Sequence, residues 1–214
     1  VIEDLCNPND LYHKIASRKE LVDVPSVKLY ALQMAHAIST HHEIFGVSHN
    51  DLTPESFLLD RHGNVCLSGF GLISGCELAV DALRCPVYTA PEVLRGSTAY
   101  EENSANAAVH QQGSPLGSFA ADWWSLGVIL YSLLAYGKHP MGLFNPFSCT
   151  YSRPKSYHME EVVGRLLSPT APIEFSTNFS PAACDLLSKL LERDPIHRLT
   201  SVEELEKHPF FFQQ

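Results

Sequence analysis

The sequence has no run of basic residues, no closely spaced cysteine pair and no apolar stretch long enough to cross a bilayer. Lys and Arg number 15 against 24 Asp and Glu, which gives a formal net charge of −9. A protein that binds nucleic acid regardless of sequence needs a basic surface stripe, which this chain lacks. We find no signal peptide either. These absences exclude nucleic-acid and membrane partners and predict an intracellular, cytoplasmic protein.

The six cysteines are scattered, so zinc knuckles and thioredoxin-like chemistry are not expected, and a reduced compartment is the simplest interpretation. The adjacent pair His41 and His42 has no further ligands at zinc-site spacing, which predicts a structural or surface role. With 45% hydrophobic and 18% charged residues, the 214-residue chain suits one domain or one large lobe. Because it opens with Val1, we expect it to be a piece of a longer protein.

The hydrophobic pattern predicts a mainly α fold. A helix capped by Ser26 and running to about Phe45 has apolar residues at helical spacing, namely Val27, Tyr30, Met34 and Ile38. Residues 121–136 are apolar on all sides, which is typical of a helix in the middle of a domain. Further helices are predicted at residues 9–16, at 159–167, from Ser180 to a stop at Pro195, and from a capping box at Thr200 to a stop before Pro209.

One small β-hairpin interrupts the predicted helices. Residues 57–60 and 64–67 are strand-like, and the turn residues Arg61, His62 and Gly63 lie between them. Residues 96–119 are rich in Gly, Ser, Asn, Gln and Ala and predict an exposed, mobile insert. Residues 138–157 predict a second loop. Strands and helices do not alternate along the chain, so a parallel sheet is not expected.

Five motifs occur in one order along the chain. The segment His49-Asn50-Asp51-Leu52-Thr53-Pro54-Glu55-Ser56 resembles the kinase catalytic loop H-R-D-L-x-x-x-N. The later motifs are Ser68-Gly69-Phe70-Gly71, similar to D-F-G with its Asp replaced; Ala90-Pro91-Glu92, matching A-P-E; Asp122-Trp123-Trp124-Ser125-Leu126-Gly127, similar to the central helix; and Arg193-Asp194-Pro195 with Arg198 and His208-Pro209-Phe210-Phe211, similar to the end of a kinase domain. The chain therefore resembles the eukaryotic protein kinases, and most closely the branch of cyclic-nucleotide-dependent and ribosomal S6 kinases.

The resemblance implies a kinase-like C-terminal lobe over residues 1–214, with the hinge between lobes at about residues 1–7. It implies that the N-terminal lobe, with its Gly-rich loop and strand lysine, is missing from this chain and belongs to the parent protein. Adenine would contact the backbone of Glu3, Asp4 and Leu5, and Leu58 is implied as a further nucleotide-binding residue. ATP and Mg²⁺ are expected cofactors only if the parent protein is active.

The same resemblance assigns roles within the catalytic loop. Asp51 occupies the position of the base that accepts the proton of the substrate hydroxyl, although an Asp there also organises its loop and both roles remain open. The two magnesium-holding positions carry Ser56 and Gly69, a weak neutral ligand and a residue with no side-chain oxygen. Asn50 replaces the Arg that pairs with a phosphorylated activation loop, and Thr53 replaces a Lys that touches the γ-phosphate.

The scaffold positions are retained. Glu92 and Arg198 match the buried ion pair of the family, and Asp122 matches the residue that accepts backbone N–H groups of the catalytic loop. Three functions follow as hypotheses: a pseudokinase that serves as a binding or regulatory scaffold, a fragment of an active Ser/Thr kinase with Asp51 as base, and a truncated fragment without function. The expected partner is a protein, either a regulated partner or a substrate.

Overall fold

The computed structural model describes residues 23–68, 86–95, 119–141 and 156–212. The described helices are α1 (Val24–Phe45), α2 (Ala120–Leu134), α3 (Ser156–Leu167), α4 (Pro181–Leu190), α5 (Val202–Glu206) and α6 (Pro209–Phe212). Strands β1 (Phe57–Leu59) and β2 (Val65–Leu67) form one antiparallel hairpin, and short 3-10 turns lie at Pro54–Ser56 and Pro86–Tyr88. The prediction of a mainly helical fold with one small hairpin is confirmed for this part of the chain.

Helix α1 begins earlier than predicted. Asp23 rather than Ser26 is the N-cap, because its carboxylate accepts the backbone N–H of Ser26 at 2.8 Å. The predicted end at Phe45 is confirmed, since Gly46 adopts a left-handed conformation with φ 66° and its backbone N–H donates to the carbonyl of His42. The predicted apolar face of this helix is also confirmed, and its members Val27, Tyr30, Met34 and Ile38 are all buried.

Helix α2 forms the centre of the core. Its residues 120–133 are all buried, as the unbroken apolar sequence predicts. It ends at Leu134 rather than Tyr136, because Tyr136 and Gly137 take positive φ angles of 54° and 84° that no α-helix tolerates. Gly127 allows α2 to approach the end of α4 closely, since a Cβ there would lie 2.9 Å from the Cβ of Leu190.

The hairpin follows the predicted strands and turn. Phe57 pairs with Leu67 and Leu59 with Val65. The side-chain amide of Asn64 donates to Asp60 Oδ2, and the backbone N–H groups of Asn64 and His62 donate to its Oδ1. These hydrogen bonds, that of the Asn64 amide first, lower the pKa of the Asp60 carboxyl. Helix α1 holds the hairpin through Gln33, whose side chain accepts the N–H of Val65 at 3.0 Å.

The C-terminal helices differ from prediction at their ends. Ser180 caps α4 as predicted, but α4 ends at Leu190, five residues before the predicted stop at Pro195. Residues 193–198 are bends and turns. The N-cap of α5 is Ser201, not Thr200, because the Ser201 hydroxyl accepts the N–H of Glu204. Helix α3 begins at Ser156, three residues before its predicted start. In the described helices we find none with the length and apolar character that a bilayer-spanning helix requires.

Several predictions concern residues outside the described ranges. These are the helix at 9–16, the hinge at about 1–7, residue Gly69, the insert except for Phe119, and most of the loop at 138–157.

Candidate functional site

The loop that joins α1 to β1 is anchored by one buried carboxylate. Asp122 is fully buried at the start of α2. Its Oδ2 accepts the backbone N–H of His49 at 2.7 Å, and its Oδ1 accepts that of Asn50 at 2.8 Å. Asn50 has φ 62°, a left-handed conformation that Asn tolerates better than most side chains. The loop therefore reaches an unusual backbone shape that the Asp122 carboxylate stabilises.

His42 is the third group on this carboxylate. Its Nε2 lies 2.7 Å from Asp122 Oδ2, and its ring stacks on Phe119 with centroids 4.3 Å apart. Sequence reasoning gave His42 only a structural or surface role. The contact joins residues 80 positions apart in the chain, so helical spacing and motif order contain no signal for it.

Asp51 lies in the middle of the anchored loop and is buried. Its backbone carbonyl accepts the hydroxyl of Ser56 at 3.2 Å. The backbone that carries Asp51, the residue that the resemblance matches to the base, is therefore tied both to α2, through the neighbouring Asn50, and to the turn at Ser56.

Ser56 and Thr53 close this turn on themselves. The Ser56 hydroxyl accepts the backbone N–H of Thr53 at 3.2 Å while it donates to the Asp51 carbonyl. The Thr53 hydroxyl lies 3.4 Å from it, and both side chains are buried. The Ser56 hydroxyl, which the resemblance matches to a metal-binding Asn, thus has its proton and one lone pair engaged by the loop backbone.

The turn is also joined to the end of β2. The backbone carbonyl of Ser56 accepts two hydrogen bonds from Ser68, one from its backbone N–H at 2.8 Å and one from the Ser68 hydroxyl at 3.2 Å. His49 Nε2 lies 3.3 Å from the Ser68 carbonyl. Leu58 is half-buried in β1, opposite Cys66. The structure therefore brings Asn50, Asp51, Thr53, Ser56 and Asp122 into one connected network.

A second buried polar cluster, the ion pair of Glu92 and Arg198, lies at the start of α2. Arg198 donates to both carboxylate oxygens of Glu92, at 2.6 and 3.0 Å. The same guanidinium donates to the carbonyls of Ala120 and Glu192 at 2.7 and 2.8 Å. It also lies 5.2 Å from the ring of Trp124. This bidentate pair joins the Glu of A-P-E to the segment between α4 and α5.

The turn before A-P-E is held by two side chains from α2 and its C-terminal loop. Ser125 donates to the carbonyl of Tyr88 at 2.8 Å, and His139 Nε2 donates to that of Val87 at 3.0 Å. Because His139 Nδ1 accepts the N–H of Met141, the ring is neutral with its proton on Nε2. Burial lowers the pKa of His139 to about 4, so the ring is neutral at physiological pH.

The remaining predicted site residues, Glu3, Asp4, Leu5 and Gly69, lie outside the described residues. Within the described part of the chain, no group of three or more His, Cys, Asp or Glu side chains is arranged to hold a metal ion.

The comparisons with known proteins agree with the motif order. A protein kinase domain family model matches residues 1–211. Serine/threonine-protein kinase Sgk2 of Homo sapiens is 31% identical over 97% of this chain and 49% of its own length. Serine/threonine-protein kinase gad8 of Schizosaccharomyces pombe is 32% identical over 96% of the chain and 31% of its own length. The chain thus spans between about a third and a half of these relatives.

Proposed function

The chain belongs to the protein kinase family, and from this premise we propose that it forms part of a pseudokinase, a kinase-fold domain that binds or regulates a protein partner with little or no phosphoryl transfer. The observation that carries the proposal is the hydroxyl of Ser56, which is engaged by Thr53 N–H and the Asp51 carbonyl. A side chain that closes its own turn in this way is poorly placed to bind a metal.

The residues at the two metal positions do not fit magnesium. Mg²⁺ prefers hard, charged oxygen ligands in near-ideal octahedral geometry. Ser56 offers one neutral hydroxyl, and Gly69 has no side-chain oxygen. Metal neutralisation of a developing phosphoryl charge is worth several kcal/mol, and each ~1.4 kcal/mol changes a rate about tenfold. Loss of both ligands therefore supports a fall of several orders of magnitude in phosphoryl transfer.

Two further replacements support a regulatory role. Asn50 supplies no guanidinium for a phosphorylated loop, and its backbone is already anchored by Asp122. Thr53 supplies no cation for a phosphate, and its hydroxyl is buried beside Ser56. We infer that the loop keeps its shape without phosphorylation or nucleotide, as a constitutive scaffold would.

The test is to restore the ligands in the full-length protein. We expect the wild-type protein to show no Mg²⁺-dependent ATP binding by calorimetry, and the double variant Ser56→Asn/Gly69→Asp to gain it. The matched control Ser56→Asn/Gly69→Asn has nearly the same shape but no carboxylate, and it should gain nothing. Wild-type autophosphorylation that disappears in Asp51→Asn would refute the pseudokinase proposal.

One observation favours a second candidate, an active Ser/Thr kinase with rearranged ligands. Asp51 is retained on a loop whose backbone is anchored on both sides, and a positioned carboxylate is the group that orients a substrate hydroxyl. This candidate predicts phosphorylation of a generic basic protein substrate by the full-length protein, with a rate that depends on Asp51. Under it, the protein partner is a substrate rather than a protein that is bound or regulated.

A further inference from the structure

An open cleft lies between the last two turns of α1, the start of α2 and the segment that joins α4 to α5. Its volume is about 480 Å³, which is within the usual range of about 300–1,000 Å³ for ligand sites. Its apolar wall is formed by Phe119, Trp123 and Pro195. Its polar side is formed by Ser39, Glu43 and Thr200. Neither the pseudokinase proposal nor the active-kinase alternative assigns a role to this cleft.

Phe119 presents an aromatic face to the cleft. Its ring stacks on that of His42, with centroids 4.3 Å apart and an angle of 13° between the planes. The residue is nevertheless 41% exposed, so its uncovered surface includes the face opposite His42. Because His42 also contacts the carboxylate of Asp122, the Phe119 ring is supported from behind. A supported aromatic face of this kind attracts a cation.

Glu43 supplies a carboxylate to the same cleft. It follows His42 directly on α1 and is exposed. Its Oε1 accepts the hydroxyl of Ser39 at 3.1 Å, and no Lys or Arg side chain in the described ranges pairs with it. A carboxylate has room for about four hydrogen bonds, so Glu43 retains the capacity to accept an external donor.

The side chains that line the cleft favour a positively charged occupant. Among the described lining residues there is no Lys or Arg, and His42 is already engaged with a carboxylate. Arg198, which follows Pro195 by three residues, is buried in its pair with Glu92. The chain as a whole has a formal net charge of −9. The cleft therefore complements a cation that is carried on an apolar stem.

We propose that the cleft binds the side chain of an arginine from a partner protein, with the guanidinium stacked on Phe119 and paired with Glu43. A guanidinium is planar and more weakly hydrated than an ammonium, so it stacks on a ring and donates to a carboxylate at the same time. The methylene groups of the arginine contact the apolar wall.

The arginine belongs to a polypeptide because the described lining offers no Lys or Arg for the α-carboxylate of the free amino acid. The cleft uses neither Ser56 nor Gly69, so the proposal holds whether or not the protein transfers phosphate.

Titration of the full-length protein with the blocked tripeptide Leu-Arg-Leu tests the proposal. The reporters are the NMR signals of the backbone amides of Ser39, Glu43 and Thr200, and we expect saturable shifts with a Kd in the millimolar range. The tripeptide Leu-citrulline-Leu has nearly the same shape without the charge, and it should bind about tenfold more weakly. Leu-Lys-Leu keeps the charge without the planar group, and it should bind about threefold more weakly.

Two variants locate the binding site. Glu43→Gln keeps the size of the side chain and removes its charge, whereas Phe119→Leu keeps an apolar residue and removes the ring. Each should weaken the binding of Leu-Arg-Leu by about threefold or more. The matched control is Glu161→Gln, the same exchange at an exposed Glu of α3, and it should bind like the wild type.

The absence of a saturable shift with Leu-Arg-Leu would overturn the proposal. Equal binding of the citrulline peptide, or unchanged binding in Glu43→Gln, would assign the cleft to an apolar occupant and overturn it as well. Equal binding of Leu-Lys-Leu would contradict the stacked guanidinium. A wild-type dimer in analytical ultracentrifugation that Glu43→Gln dissociates would assign the cleft to a second copy of this chain instead. None of these outcomes depends on ATP or Mg²⁺, so this proposal and the pseudokinase proposal fail separately.

Discussion

The anchored loop and the Glu92–Arg198 pair at the start of α2 stabilise their buried polar groups in different ways. At the start of α2, Arg198 and Glu92 form a bidentate charged pair, and the guanidinium also donates hydrogen bonds to two backbone carbonyls. In the loop, the hydroxyls of Ser56 and Thr53 are satisfied by the backbone of their own turn. The bidentate charged pair lies outside the loop, whereas the loop depends on the Asp122 carboxylate and on its own backbone, so neutral side chains at residues 53 and 56 are compatible with its shape.

Breaking the charged pair should have the largest effect on stability. In Arg198→Met the carboxylate of Glu92 remains buried without its partner, which costs about 3–5 kcal/mol of the free energy of unfolding. Urea denaturation followed by circular dichroism measures this loss. The double variant Glu92→Leu/Arg198→Met should recover part of it, because an apolar pair leaves no buried charge. An Arg198→Met variant as stable as the wild type would show that the Glu92–Arg198 pair does not stabilise the fold.

Acid should have the next largest effect on stability, through His139. The folded protein holds its pKa at about 4, against 6.5 for an ordinary histidine, so the unfolded chain takes up its proton first as pH falls. Stability is then full above pH 6.5 and declines as pH drops towards 4, by about 3 kcal/mol. Urea midpoints from pH 7.5 to 4.5 test this decline.

The variant His139→Leu should be less stable at pH 7.5, because it leaves the Val87 carbonyl without its donor. Its stability should nevertheless change less with pH than that of the wild type. Equal pH slopes for the two proteins would contradict the assignment.

Crowding the contact between α2 and α4 should have a smaller effect. In Gly127→Ala the new Cβ would meet the Cβ of Leu190 and Cδ2 of Leu191, each at 2.9 Å. Overpacking of this kind costs about 1–3 kcal/mol. The matched control is Gly164→Ala in α3, where no atom lies within 4 Å, and it should stabilise by about 0.5–1 kcal/mol. Thermal melts that move in the same direction for both variants would contradict the packing argument.

The loop itself should give the smallest change in global stability. Ser56→Ala removes the hydroxyl that joins Thr53 to the Asp51 carbonyl, at a cost of about 1–3 kcal/mol if the buried groups stay unsatisfied. We expect the lower end, because the Ser56 carbonyl still accepts both groups of Ser68. Urea midpoints for Ser56→Ala and Arg198→Met, measured together, sharpen the comparison. A larger loss of unfolding free energy in Ser56→Ala than in Arg198→Met would contradict the view that the charged pair contributes more to stability than the loop turn.

Local sequence signals predicted most of the elements that the structure describes. The period of Val27, Tyr30, Met34 and Ile38 identified the buried face of α1, and the turn at residues 61–63 identified the hairpin. Helix ends were less predictable, because polar residues one to three positions apart can each serve as the cap. Asp23 displaced Ser26, and Ser201 displaced Thr200. Position in the motifs identified Asp51 and Ser56, but no motif describes how their hydrogen bonds are used.

The sequence alone determined the family, because the order of motifs is written in the chain, and it also fixed which residues, such as Ser56 and Gly69, occupy each motif position. Only the tertiary structure decided which groups share a buried carboxylate. His42, His49 and Asn50 reach Asp122 across more than 70 positions of the chain. Contacts of that range depend on how the helices pack, because local periodicity describes one face of one helix and not the side chain that comes to lie against it.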